Sequence, residues 1–150
     1  MQTTSHNPFD GFLDRHEDGE LLRTNGGTDA VHGQVFGTAA QPAAFNYIAV
    51  TANATAPAAA DTTLTAEIAT AGGGLVRQAG VYAHTTGAAS YTITTTFTAN
   101  GSDALPVTIA KRGIFDQASG GLLVFETLVS PTANLSASGD ALTLTDTISL

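Results

Sequence analysis

The sequence predicts an all-β domain: an antiparallel β-sandwich, jelly-roll-like, of six to eight strands, preceded by an extended N-terminal arm. Three observations carry that prediction. Thr, Ala and Gly dominate the composition, and charged residues make up 12% of the 150 positions. Exposed helices draw solubility and i,i+4 support from Lys, Glu and Arg, whereas the branched Cβ of Thr suits a pleated surface. Two long C-terminal stretches alternate with period two, the repeat of a strand with one face buried. Turn signals then recur between the apolar stretches at the spacing of a sandwich or barrel.

Residues 1–30 read as a separate arm and 31–150 as the β domain. The arm holds Asp10, Asp14, Glu17, Asp18, Glu20 and Asp29 against Arg15 and Arg23. Its sparse apolar residues are Phe9, Phe12, Leu13, Leu21 and Leu22, with a short helix conceivable from Phe12 to Leu22. Gly11, Gly19, Gly26 and Gly27 interrupt anything longer. Ordering such a segment costs about 1–2 kcal/mol per residue, which so few apolar groups do not offset without a partner.

Val31–Phe36 is the first expected strand and Phe45–Thr51 a stronger second. Asn53–Thr63, rich in Ala and carrying Pro57 and Asp61, reads as a loop. Leu64–Ala69 fits either a helical turn or a short strand, and Gly72-Gly73-Gly74 marks a sharp break. Leu75–His84 is expected as one strand. Tyr91, Ile93, Thr95 and Phe97 then alternate with Thr92, Thr94, Thr96 and Thr98. Val107–Phe115 and Leu122–Val129 read as a hairpin closed by Asp116-Gln117-Ala118-Ser119-Gly120-Gly121. The second of these is apolar on both faces, the mark of a central or interface strand. Finally Leu142, Leu144, Ile148 and Leu150 alternate with Thr143, Thr145, Thr147 and Ser149. Asp146 interrupts that apolar face, so it must lie near an edge or find a partner.

Composition bounds function. The net charge of −8 disfavours nucleic acid and anionic membrane as partners, and Lys111-Arg112 is the one adjacent pair among five basic residues. With no cysteine, disulfides and thiolate metal sites are excluded. No apolar run approaches the ~20 residues of a membrane-spanning helix. The first residues lack the basic and then apolar regions of a signal peptide, so synthesis in the cytoplasm is expected.

Chemistry is sparse. His6, His16, His32 and His84 are dispersed, without the spacing of a local metal site. The glycine run lacks the Lys-Ser or Lys-Thr of a phosphate-binding loop, and neither G-x-S-x-G nor H-E-x-x-H occurs. Glu67 and Glu126 are the only glutamates after the arm. Glu126 lies in a strongly apolar stretch and is expected to pair with Lys111 or Arg112 across the hairpin. No enzyme activity, cofactor or metal is expected.

Two stretches resemble a known class of proteins. One is Tyr47-Ile48-Ala49-Val50-Thr51, followed by Thr55-Ala56-Pro57-Ala58-Ala59-Ala60-Asp61-Thr62-Thr63-Leu64-Thr65-Ala66-Glu67-Ile68. The other is Val107-Thr108-Ile109-Ala110-Lys111-Arg112-Gly113-Ile114-Phe115-Asp116-Gln117-Ala118-Ser119-Gly120-Gly121, with the closing Asp140–Leu150. Together they resemble tailed-phage virion structural proteins, the head decoration (cement) or tail-fibre-associated β-sandwich family. The resemblance runs from Phe45 to Leu150 and rests on turn and strand residues. The chain departs from the pattern at Thr51-Ala52-Asn53, at Lys111-Arg112 where an acidic residue is more usual, and at Asp146-Thr147 where an aromatic is common.

The resemblance implies a decoration protein on the capsid surface of a virion, binding the major capsid protein and associating with itself as a homotrimer. In that reading Phe9, Phe12, Leu13, Leu21 and Leu22 anchor the arm on the shell, and Asp14, Glu17 and Asp18 meet basic shell residues. The alternative it implies is a tail-tip or fibre-associated protein contacting the host surface.

Overall fold

The computed structural model describes residues 21–36 and 44–149, with 34–36 as backbone alone. Two antiparallel sheets form a β-sandwich. The larger has the strand order β1-β7-β6-β2-β3 and the smaller β4-β5-β8. Their ranges are β1 Leu22–Arg23, β2 Tyr47–Thr51, β3 Gln78–Ala79, β4 Val81–His84, β5 Ser90–Thr98, β6 Val107–Phe115, β7 Leu123–Leu135 and β8 Ala141–Ser149. The single helix among the described residues, α1, spans Asn25–Phe36. The eight strands divide five and three between the sheets.

Alternation places the core. Ile93 and Phe97 on β5, with Leu144 and Ile148 on β8, point inward and pack with Ile48, Val50, Ile109 and Ile114 of the larger sheet. Each such side chain contributes about 1.5–3 kcal/mol by leaving water. Thr94 and Thr96 on β5 and Thr143, Thr145 and Thr147 on β8 face out, while Thr95 points inward with the apolar residues. The other face of the larger sheet is also covered, because Ala49, Leu64, Phe115 and Leu123 form a second buried cluster there. Leu64, from the loop after β2, lies over that face, and β2 is buried from Ile48 to Thr51. β7 runs between β1 and β6, the central position expected for its two-sided apolar stretch.

β7 extends beyond the expected stretch to Leu135 and carries Pro131. The ladder with β6 steps from Ile109↔Ala133 to Lys111↔Leu128, so the residues between them bulge out of register. A bulge tolerates a residue with no N–H to give to the ladder.

Three expectations fail for identifiable reasons. Val31–Phe36 is the second half of α1, not a strand. Thr24 caps the helix, its hydroxyl accepting the Gly27 N–H at 3.0 Å. The same hydroxyl donates to the Leu123 carbonyl at 2.5 Å, tying the cap to β7. A Cβ at Gly27 would stand 2.4 Å from the Val124 carbonyl oxygen, so the helix sits where a glycine-free sequence could not approach.

Leu75–His84 is two strands rather than one. β3 pairs with β2 in the larger sheet, and β4 pairs with β5 in the smaller. The chain changes sheets at Gly80, whose N–H donates to the Asn46 carbonyl at 2.6 Å. A Cβ there would meet Ile93 Cγ2 at 2.4 Å and Thr95 Oγ1 at 2.8 Å. Leu64–Ala69 resolves as turns with one isolated bridge, Thr51↔Glu67.

Third, residues 21–30 belong to the domain instead of ending an arm. Leu22 pairs with Glu126 and Arg23 with Phe125. Leu22 is buried and Leu21 packs on the core. Both make contacts within the domain. The other arm residues, Phe9, Phe12, Leu13, Asp14, Glu17 and Asp18, lie outside the described residues, as does most of Phe12–Leu22.

Candidate functional site

Among the described residues three ion pairs lie within the domain. The first joins β6 to β7: Lys111 Nζ stands 2.6 Å from Glu126 Oε1. Lys111 is 1% exposed and Glu126 0%. This is the cross-hairpin pair expected of Glu126. Register places Gly113 directly opposite Glu126 and Leu128 opposite Lys111, so the two side chains meet on a diagonal. Burial pushes the Glu126 carboxyl up, the hydrogen-bonding Lys111 ammonium pulls it down, and the adjacent Asp61 carboxyl pushes it up again, with a net rise.

The second pair crosses the sandwich. Arg112 Nη2 and Nε lie 2.5 and 2.6 Å from Asp146 Oδ1. Asp146 therefore finds a partner, as its place on an apolar face required. Burial raises its carboxyl, and Arg112 offsets only part of the rise. Asp146 Oδ2 and Thr95 Oγ1, both inward-facing on the smaller sheet, have no hydrogen-bond partner in the protein.

The third pair builds a clamp that the sequence does not reveal. Arg77 grips Glu67 through two parallel contacts, Nε–Oε1 at 2.9 Å and Nη2–Oε2 at 2.6 Å. Its Nη1 donates to the carbonyls of Gln117 and Gly120, at 2.9 and 2.6 Å. The guanidinium also lies 3.5 Å over the Phe115 ring. One side chain thus fixes the turn at Glu67 and the β6–β7 connection. Within that connection Asp116 Oδ1 accepts the Leu122 N–H at 2.7 Å.

The glycine run is a turn, as the missing phosphate-loop residues imply. Asp103 accepts from the N–H groups of Gly74, Leu75 and Asn100. Burial pushes its carboxyl up, but these donors outweigh it and hold it below the usual aspartate value. Gly74 packs directly against the Thr98 carbonyl.

No catalytic constellation emerges among the described residues. No group of three His, Asp or Glu side chains there is placed to hold a metal ion. His32 is exposed on α1, and His84 is exposed at the end of β4 with Nε2 3.0 Å from the Ala88 carbonyl. Two shallow depressions, of about 170 and 290 Å³, lie beside Asp103 and beside His84. Both are smaller than the ~300–1,000 Å³ usual for small-molecule sites.

The distinctive surface is the outer face of the smaller sheet. Thr92, Thr94, Thr96 and Thr98 on β5 stand opposite Thr147, Thr145, Thr143 and Ala141 on β8. Thr94 and Thr145 hydroxyls lie 3.1 Å apart, and those of Thr96 and Thr143 2.8 Å. Val81 and Ala83 of β4 continue the face, paired with Thr94 and Thr92. No charged side chain stands on it. At its edge Val81 is 72% exposed and Tyr82 58%. Tyr82 turns to the opposite side of the sheet, where its ring lies 5.3 Å from Tyr91 and 6.4 Å from His84.

Compared with known proteins, the chain matches no family model, and no curated protein matches it.

Proposed function

We propose that this protein is a viral capsid decoration (cement) protein: a β-sandwich that binds the outside of an assembled head and stabilises it through contacts between copies. The observation that carries the reading is the uncharged face of β4, β5 and β8 with its exposed edge strand. Hydroxyls and methyls on a flat sheet form contacts without stripping water from ions, the cost that makes charged interfaces unfavourable. Edge strands are normally blunted by charge, proline or a covering element. β4 carries Val81 and Tyr82 in the open instead.

The clamped hairpin suits the same role, because a particle protein must keep its shape rather than move. The resemblance to tailed-phage virion proteins supports the reading through the same hairpin residues. A protein that binds only the assembled shell adds its binding free energy to that state, and repetition on a lattice multiplies weak contacts. Residues 1–20, acidic and with few apolar groups, remain the segment proposed to lie across neighbouring capsid subunits.

The alternative, a tail-tip or fibre-associated protein, is favoured by one observation: Tyr82 and Tyr91 present adjacent rings at the sheet edge. Aromatic faces of this kind hold sugar rings. Counting copies of the chain per purified particle separates the two readings. Hundreds of copies support the head, a handful support the tail, and absence from particles sinks both.

A further inference from the structure

We infer that the smaller sheet continues from one copy into the next: β8 of each copy takes β4 of a neighbour as a parallel strand, and three copies close a ring with the threonine face inside. The inference deepens the reading that copies meet through this sheet and rests on it, and it holds for a head or a tail protein alike.

Both edges of the smaller sheet are open. In the order β4-β5-β8, only β5 is flanked on both sides among the described residues. β8 pairs with β5 along its whole length, from Ser90↔Ser149 to Thr98↔Ala141, without a register shift. It holds no proline and no glycine, and no charge points outward from it. Those are the devices that normally blunt an edge. Its one charge, Asp146, points into the sandwich and is matched by Arg112. β4 is exposed at every position, and Val81 and Tyr82 are the exposed large apolar side chains among the described residues.

The ladder fixes which backbone groups reach those edges. Antiparallel pairs alternate between residues that exchange N–H···O=C bonds and residues that do not, and side chains stand closer in the second kind. At the head of the β5–β8 ladder Ala99 N donates to the Asp140 carbonyl, and Gly139 N donates to the Ala99 carbonyl. Counting from there, Phe97↔Leu142, Thr95↔Leu144 and Ile93↔Asp146 exchange bonds, while Thr96↔Thr143 and Thr94↔Thr145 do not. The close hydroxyls of those two threonine pairs agree with that. Thr143, Thr145 and Thr147 therefore turn their N–H and C=O groups away from β5, to the open edge. On the other side Thr94 and Thr92 serve Val81 and Ala83 of β4, which leaves the backbone groups of Tyr82 and His84 on the opposite edge.

The two edges fit one another. β4 and β8 each run antiparallel to β5, so they are parallel to each other, and rotation about an axis along the strands keeps them so. In a parallel pair one residue bonds to the two that flank its partner. With Thr145 beside Ala83 of the neighbouring copy, the Thr145 N–H donates to the Tyr82 carbonyl and the Thr145 carbonyl accepts from the His84 N–H. Ala83 and Thr145 both lie on the threonine face, so the alternation of faces carries across the junction. Val81 then turns into the ring, and Tyr82 lies beside Leu144 of the neighbour. Three copies of a three-stranded sheet supply nine strands, and about eight already enclose a packed interior. Pairing β8 with β8 instead would leave each β4 edge open, whereas the ring leaves no edge in this sheet.

Cysteine pairing tests this in a chain that has no cysteine of its own. Within one copy β5 separates Ala83 from Thr145, two strand spacings or about 9 Å, more than the ~7 Å that a disulfide bridges. Both side chains are exposed, so their replacement should leave the thermal melt unchanged. After mild oxidation Ala83→Cys/Thr145→Cys is expected to run as a covalent trimer on a denaturing gel without reductant, and each single variant as a monomer. A double variant with the wild-type melt and only monomer bands overturns the ring. So does a covalent dimer from Thr145→Cys alone, the mark of β8 paired with β8. Sedimentation of the wild type separates the two readings: a trimer that forms no such link removes the edge pairing and leaves the contact between copies in place, and a monomer removes both.

Discussion

Removing Asp146 should destabilise the domain far more than removing its whole ion pair. Its side chain is 0% exposed and that of Arg112 13%. Arg112 reaches Asp146 Oδ1 through two nitrogens, at 2.5 and 2.6 Å. Asp146→Ala leaves a guanidinium inside the sandwich with nothing to balance it. Breaking one partner of a buried pair costs about 3–5 kcal/mol, and the slight exposure of Arg112 sets the expectation near the lower bound. That is a large share of the ~5–15 kcal/mol typical of a folded domain. Replacing both, as Arg112→Leu with Asp146→Leu, removes the desolvation cost along with the attraction. The flanking Ile93, Leu144 and Ile148 already supply an apolar setting. The double variant should lie between wild-type stability and about 4 kcal/mol above it. Urea denaturation read by circular dichroism measures both changes. A loss below about 1 kcal/mol in Asp146→Ala would refute the reasoning, since exposed pairs behave that way. So would a double variant as unstable as the single.

Other outcomes follow from the same geometry. Gly80→Ala should lose about 1–3 kcal/mol, because its methyl meets Ile93 and Thr95 where the chain changes sheets. Gly101→Ala, with open space around the added carbon, should stay within about 0.5 kcal/mol of wild type in the same melt. Arg77→Lys keeps the charge but loses the fork on Glu67 and the carbonyl contacts. It should cost about 1.5–3 kcal/mol and speed amide exchange in residues 116–121.

The pH dependence has two limbs. Asp103 is held below its usual value of 3.8, so its contribution is present above that pH and lost as pH falls through the folded value. Asp103→Asn should flatten the acid limb of a denaturation midpoint against pH. Asp146 and Glu126 are raised, so the native state holds their protons more tightly, and their contribution fades as pH rises from the ordinary carboxylate range through the raised values. A midpoint rising steadily across that upper window would contradict the assignment.

What the sequence made legible follows from where the physics is local. β5 and β8 could be read from threonine alternation because one face of each meets the core and the other meets water. β6 was readable with its limits, since turn chemistry follows Phe115. Glu126 and Asp146 announced partners because charge in an apolar stretch must be matched. The helix was hidden because Gly26, Gly27 and Gly33 lower its intrinsic propensity, and only packing against β7 makes it form. The sheet change at Gly80 and the Arg77 clamp join residues distant in the chain. The strand at Leu22–Arg23 escaped because two residues leave no periodicity to detect.

The central claim is that the uncharged face of β4, β5 and β8 is where this domain meets its copies. Sedimentation velocity of the purified chain, set beside a Thr96→Lys/Thr145→Lys variant, tests it most directly. Both substitutions place charge on the outer face without touching the core. A wild-type trimer and a variant monomer with the same thermal melt are expected. A wild-type monomer at every concentration, or a variant that still assembles, would contradict the claim.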